Sequence, residues 1–553
     1  MNAEPRASWL PLVIIAMAQI FMIFNVSTLQ VSIEGIASSF NTSATTVGSA
    51  IVAYALVVAA FILLGARIAQ MLGSRRVFRI SVLLFGAGMA IMATSIGVPM
   101  MIAGQITAGA AAAALVPTLV VLVADNYKGR QQEQALGWLG GAPAMGIVLA
   151  FLIAGSLATW LGWRVMFGLL TLAAAGIYKL SDKLSPAVGQ PVSIDRVGVA
   201  LAALSILFIS VGCNNLITWG TLLARPDAPF SIVDMSPAPL MILVGIFLGQ
   251  AFISWSRRQQ AAGHATLVAL QVVDTAKERA ALGCIFIISA LASAITFLIP
   301  LYVQVVQGGS SFDSALAVIP FSVASFVAAV LVVRLYGRMG PSLIARNAFL
   351  LVAVGLALLG AVVRNDWSNA MVMVSMAIAG LGEGALVTLL FNVLVSSSPK
   401  ELAGDVGSGR GAVNNLATAV GTALATAFVI GILSVSLHAN LVHNADIPIE
   451  LKSEVNLDNV QFVSNDQLRS ALASTSATPA QVDEAVLVNT DARLLALKLT
   501  FFAFAGFALL AFFPAGALPA YERGEVPAEA QGLEPEEHPH ERPHVPGVSH
   551  GAH

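Results

Sequence analysis

Fourteen times along its 553 residues the chain runs for about 20 consecutive, mostly apolar residues. The runs lie at 10–32, 46–69, 77–96, 100–124, 135–158, 165–181, 197–217, 236–256, 282–305, 313–334, 346–364, 369–395, 411–435 and 494–517. An α-helix rises about 1.5 Å per residue, so each run is long enough to cross about 30 Å of hydrocarbon. Lipid offers no partner to a backbone N–H or C=O, which leaves helices as the element such runs can form. The expected class is an all-α polytopic membrane protein of 14 spans. Composition agrees: 57% of residues are hydrophobic and only 10% charged, against about 25% charged in soluble proteins. Mean hydropathy is +0.83. Collagen, disulfide scaffolds and disordered chains are excluded. A net charge of −2 with no basic domain excludes nucleic acid as a partner. Cys213 and Cys284 both fall in apolar spans, so they read as small buried hydrophobes. The first run continues through Asn25 and Gln30 with no small-residue cleavage site, and is expected to remain a membrane helix.

The basic residues orient the spans. With the N-terminus cytoplasmic, the cytoplasmic side receives 21 of the 28 Lys and Arg and the other side 7. That asymmetry places both termini in the cytoplasm of a multi-pass cell-membrane protein. Residues 436–492 are expected to form a long external loop with room for a short helical hairpin. Residues 520–553, rich in Pro, Glu and His, read as a disordered cytoplasmic tail. Its five histidines are irregularly spaced, so no metal site is expected. No cofactor is expected either: there is no P-loop and no H-E-x-x-H, and the one G-x-S-x-G, Gly547 to Gly551, sits in the polar tail away from any strand or helix.

The loop after the second span reads Ala66-Arg67-Ile68-Ala69-Gln70-Met71-Leu72-Gly73-Ser74-Arg75-Arg76. It resembles the major facilitator loop signature G-x-L-a-D-R-x-G-R-R. A degenerate second copy follows the tenth span, from Arg334 through Gly337 and Arg338 to Gly340 and Pro341. Two copies eight spans apart suggest two six-helix bundles, 10–182 and 281–517, with two inserted helices between them at 196–256. Further stretches resemble the fourteen-span drug/proton antiporter branch: Trp163-Arg164 with Phe167, Pro300 to Gln304, and Gly404 to Gly421. The resemblance implies a gating role for Gly73, Arg75, Arg76, Arg338 and Gly340 at the cytoplasmic face. For Arg75 and Arg76 the alternative is simple orientation and headgroup contact.

The departures from the family pattern bear on mechanism. Gln70 and Gly337 stand where the loop signature has Asp. Asn25 stands where the first helix of the family carries an acid. Gln105 and Ala108 stand where the fourth carries Arg and, three residues on, Gln, although Gly109 and Pro117 match. Ala150-Phe151 replaces the Gly-Pro pair of the fifth helix, where only Gly155 is kept. Amides keep hydrogen-bonding capacity but lose the group that titrates.

Polar residues inside the spans are the candidate site. Amides facing lipid are costly, so Asn25, Gln30, Gln105, Asn392, Asn414 and Asn415 are expected to face protein or water, either lining a substrate cavity or bonding between helices. Of 30 Asp and Glu, only Glu383 lies deep inside an apolar span, flanked by Gly380, Gly382 and Gly384, which leave room for water or ligand. Glu383 is therefore the candidate for carrying protons or binding cations, the alternative being a protonated acid bonded to a neighbouring helix.

The expected activity is secondary active export of amphipathic or lipophilic compounds, with protons as coupling ion and the lipid bilayer as surroundings. The alternatives are a lipid or natural-product carrier without strict proton coupling, or a non-transporting membrane sensor.

Overall fold

In the computed structural model the description covers residues 8–518 except 128, 187–188, 190–191, 217, 221, 226–227, 232, 265, 268–274, 337, 365–369, 397–402, 444–464 and 473–477. The expected tail 520–553, much of the expected loop 436–492, and Gly337 lie outside the described residues.

Fourteen long helices follow one another among the described residues. They are α1 (Leu10–Val31), α2 (Ala44–Leu72), α3 (Ser74–Ala93), α4 (Val98–Asn126), α5 (Gly129–Leu161), α6 (Trp163–Leu180) and α7 (Arg196–Asn215). The second seven are α8 (Pro237–Ala261), α9 (Ala276–Leu301), α10 (Ser311–Leu331), α11 (Pro341–Val362), α12 (Ala370–Ser396), α13 (Ala403–His443) and α14 (Pro479–Leu510). Thirteen of them are long and apolar enough to cross a membrane; in α5 the stretch that qualifies as apolar is the shorter Leu149–Leu161. No strand occurs among the described residues, only a single bridge between Leu223 and Met235.

Local signals set the helix ends. Capping boxes open α9 (Thr275 with Glu278), α10 (Ser310 with Asp313) and α14 (Thr478 with Gln481). The last of these starts α14 well ahead of the expected span at 494, and α13 runs on to His443. At 41 residues α13 is about 60 Å long, so it outreaches the hydrocarbon. Polar helix formers such as Gln481 and Glu484 continue a helix outside the apolar stretch as readily as inside it. What reads as one long loop is therefore shortened at both ends, with a further helix, Asn465–Leu472, within it. Between α2 and α3, Gly73 turns the chain in a single residue at φ 86°, a conformation that favours glycine. Gly340, in the second copy, has an ordinary φ of −69°.

Two halves repeat the same helix pairings. In the first, α4 packs on α2 and α3, α5 on α1, and α6 on α3. In the second, α12 packs on α10 and α11, α13 on α9, and α14 on α11, each pairing shifted by eight helices. The halves meet along α2 with α13 and along α5 with α10, which the same shift exchanges. The α7–α8 hairpin lies between the halves in sequence, and α7 packs on both α2 and α13, alongside that seam.

The glycines around Glu383 are consumed by this packing. A Cβ on Gly380 would overlap the Phe321 carbonyl, one on Gly384 the Ser325 carbonyl, and one on Gly382 the Ala348 carbonyl. The room expected beside the acid is thus filled by the backbones of α10 and α11. Gly380→Ala should lower the thermal unfolding midpoint of the purified protein, because a backbone clash cannot be relieved by a rotamer change. Overpacking of this kind costs about 1–3 kcal/mol. An unchanged midpoint in detergent would show that α10 and α12 are not in such close contact.

Candidate functional site

Most of the in-membrane amides bond to different partners on different helices. Asn25 on α1 and Gln105 on α4 bond to each other reciprocally: Asn25 Nδ2 donates to Gln105 Oε1 at 3.1 Å, and Gln105 Nε2 donates to Asn25 Oδ1 at 3.0 Å. Both side chains are fully buried. The two positions where the resemblance places an acid and an arginine are thus in contact, and a neutral amide ring occupies them. Ring closure consumes one donor and one acceptor from each residue, so the pair acts as an interhelical bond.

Gln30, farther along α1, donates to Thr296 Oγ1 of α9 at 3.2 Å and so ties the two halves together. Nearby, Pro300 lacks the N–H a regular helix needs, and the chain continues as a π-turn over Tyr302–Val306. This turn brings in Gln304, whose place in the Pro300 to Gln304 motif does not by itself mark it as a site residue. Gln304 Oε1 accepts from the Glu34 backbone N–H at 2.9 Å, and its Nε2 donates to Ser314 Oγ at 2.9 Å. Two further contacts join the halves at this same end: the Phe312 N–H donates to Thr159 Oγ1 at 3.0 Å, and Gly155 packs against Ala315. The end where α1 finishes, here the distal end, is therefore closed by polar ties between the halves.

Glu383 is partly buried, and its Oε2 accepts from Ser325 Oγ of α10. Asn392 Nδ2 donates to Tyr336 OH at 2.9 Å, and burial pushes that phenol up to about 12, so it stays neutral. Asn414 is exposed and accepts from Ser289 Oγ of α9 at 2.8 Å; one turn on, Ser293 Oγ bonds to Thr422 Oγ1 at 2.8 Å. Asn415 turns back to the Gly411 carbonyl of its own helix at 2.9 Å. The polar contacts of Asn414 and of Ser293 form a strip along the α9–α13 contact, the second-half counterpart of α1 with α5.

At the opposite, proximal end, Arg75 Nη2 donates to both the carbonyl and Oδ1 of Asp182, at 3.0 and 3.2 Å, and Arg79 Nη1 donates to the same Oδ1 at 2.7 Å. All three residues are in the first half, the arginines on α3 and Asp182 just beyond α6. Gln70, standing in for the signature Asp, accepts from Arg67 Nη1 at 3.0 Å. Arg67 also donates to the carbonyls of Thr266 and Leu267, in the linker from α8 to α9. Gly73 is buried between α2 and α3, Arg76 and Arg338 are exposed, and Gly340 precedes α11. A second residue absent from the sequence-based site is Arg493, fully buried on α14, which donates to the Val305 carbonyl at 3.4 Å and to Asn465 of the short distal helix. The one signal for both Gln304 and Arg493 is a polar residue beside an apolar run, which the span pattern treats as an edge.

Comparison with known proteins agrees with this architecture. The profile of the Major Facilitator Superfamily matches residues 15–422. A probable actinorhodin transporter of Streptomyces coelicolor is 24% identical over 439 residues, covering 77% of this chain and 73% of that protein. The multidrug efflux pump LfrA of Mycolicibacterium smegmatis is 23% identical, covering 81% and 85%. A triacylglyceride transporter of Mycolicibacterium hassiacum is 29% identical over 205 residues, 36% of each chain. Among solved structures, a bacterial homologue of the human lysosomal transporter Spinster superposes with a TM-score of 0.58 at 12% identity, covering 94% of this chain and 98% of that one.

Proposed function

Because the chain belongs to the Major Facilitator Superfamily, we propose that it is a secondary active exporter of amphipathic or lipophilic compounds, driven by protons through Glu383. The observation that carries this reading is the exchange-symmetric seam of α2 with α13 and α5 with α10, with polar ties between the halves at the distal end. Two rigid bundles joined in that way can rock about the seam and open a midplane path to alternate sides. Opening the distal end requires breaking the Gln30–Thr296 and Phe312–Thr159 bonds, each worth about 1 kcal/mol, a barrier that binding energy of a substrate can meet. The names of the relatives, an actinorhodin transporter and a multidrug efflux pump, support efflux of small molecules.

The 29% match to a triacylglyceride transporter favours a second reading, a lipid carrier without strict proton coupling. A hypersensitive bacterial host expressing the chain separates the two. Export of amphipathic drugs should raise resistance, and a proton uncoupler should abolish the gain. Resistance untouched by the uncoupler supports the carrier, and liposomes that move no fluorescent amphiphile at all would leave a non-transporting sensor.

Orientation belongs to the same reading: both termini cytoplasmic in the cell membrane, the distal end external, as the 21-to-7 basic asymmetry requires. A cysteine placed at Ser464 should react with an impermeant maleimide on intact cells, and one at Ser549 should not. The reverse labelling pattern would overturn this orientation.

A further inference from the structure

A cleft of about 390 Å³ opens between α3 and α6 at the proximal end, away from the seam between the halves. Its rim is basic: Arg75 and Arg76 stand on the first turn of α3 and Arg79 one turn deeper, beside Tyr178 of α6. Asp182 answers only part of that charge. A single carboxylate oxygen takes Arg75 and Arg79, at 3.2 and 2.7 Å, leaving two positive charges in excess. Arg75 Nε is buried with no hydrogen-bond partner, and Arg76 is exposed and makes none among the described residues. Arg79 lies 4.5 Å over the Tyr178 ring, which fixes its guanidinium at the cleft wall. The floor is of the opposite character. Ile80 and Leu83 line the cleft and are 51% and 46% exposed, facing away from the protein. Leu83 stands eight residues beyond Arg75, about 12 Å deeper along the helix.

We propose that this cleft binds the phosphate of an anionic phospholipid headgroup, with the acyl chains lying along Ile80 and Leu83. Guanidinium forks match phosphate oxygens in charge and geometry, and the exposed Arg76 is the fork left over once Asp182 has taken Arg75 and Arg79. A free phosphate ion would meet the same donors. It would have no use for an outward apolar surface about two turns deeper, and that polarity gradient, basic at the helix ends and apolar within, is what a lipid presents. Basic clefts between helices at a membrane face are suited to anionic headgroups for this reason. The site is separate from the Glu383 region, so it does not depend on what the chain transports.

The purified full chain, in neutral detergent, is titrated with dioctanoyl phosphatidylglycerol, dioctanoyl phosphatidylcholine or inorganic phosphate while its thermal unfolding midpoint is followed. Phosphatidylglycerol should raise the midpoint saturably; the other two should not. Arg76→Gln removes a residue with no hydrogen-bond partner among the described residues and should weaken the phosphatidylglycerol response about fivefold. Asp182→Asn removes the competing carboxylate and should strengthen it, an outcome a purely structural cluster would not give. Equal curves for the two lipids would reduce the site to apolar contact, and saturation by inorganic phosphate would make it a free-anion site. Wild-type affinity in both Arg76→Gln and Arg79→Gln would place lipid binding elsewhere. Any of these overturns the proposal.

Discussion

Glu383→Gln is expected to abolish export driven by a pH gradient while the protein still inserts and folds. Glutamine has the same shape and keeps an acceptor oxygen for Ser325 Oγ, so the α10–α12 contact is retained. The glycine contacts of Gly380 and Gly384 with the α10 backbone, which hold the helices together, are untouched. What disappears is the exchangeable proton. The titratable positions that the family resemblance would supply in the first and fourth helices are amides here, at Asn25 and Gln105. A single remaining carboxylate should therefore carry an effect of two or more orders of magnitude on the coupled rate, the scale typical of removing a positioned acid–base group. The measurement is uptake of a fluorescent amphiphile into inverted proteoliposomes with an imposed pH gradient, alongside the unfolding midpoint. Ser325→Ala should shift the pH dependence of transport without abolishing it, because it removes the partner and leaves the carboxyl. A Gln variant that transports at the full rate with an unchanged pH dependence would make Glu383 a structural acid, and would end the case for proton antiport.

The fold was legible in the sequence because hydrophobic length is a physical requirement of the bilayer: each of the expected spans falls on one of the long helices. The eight-span shift between the two loop copies anticipates the repeat of helix pairings, since chain order carries over to packing order. Helix ends were less legible. The Thr478–Gln481 capping box starts α14 fifteen residues before Arg493, and no hydropathy threshold can see a cap. The site was legible in residue type and not in partner. Asn25 and Gln105 stand out as amides inside apolar runs, but nothing in one sequence says that residues 80 positions apart share two hydrogen bonds. Gly380, Gly382 and Gly384 suggest space in the sequence because a glycine looks the same whether its missing side chain admits a ligand or another backbone. Arg75 and Arg79 meet Asp182 for a similar reason: the short segment after α6 folds back beneath α3, a matter of loop geometry.

The amide ring of Asn25 and Gln105 leads to the second large effect. Asn25→Asp alone places a carboxylate in a fully buried position opposite an amide, and Gln105→Arg alone places a guanidinium there. Each should cost about 3 kcal/mol, the scale of one unpaired charge at depth in a membrane helix. The double variant Asn25→Asp/Gln105→Arg puts opposite charges on the same two helices at hydrogen-bonding distance, and its stability should return to within about 1 kcal/mol of the parent. The coupling would then be about 5 kcal/mol, far outside the few tenths by which independent sites depart from additivity. The readout is the unfolding midpoint of all four proteins in one detergent, with expression level as a check. Additive losses near 6 kcal/mol would show that α1 and α4 do not hold these side chains together. Recovery would show more than a contact: the helices would tolerate either a neutral or a charged pair at one joint. With the neutral pair in place no proton can be exchanged there, and the proposed proton coupling rests on Glu383, in the other half of the molecule.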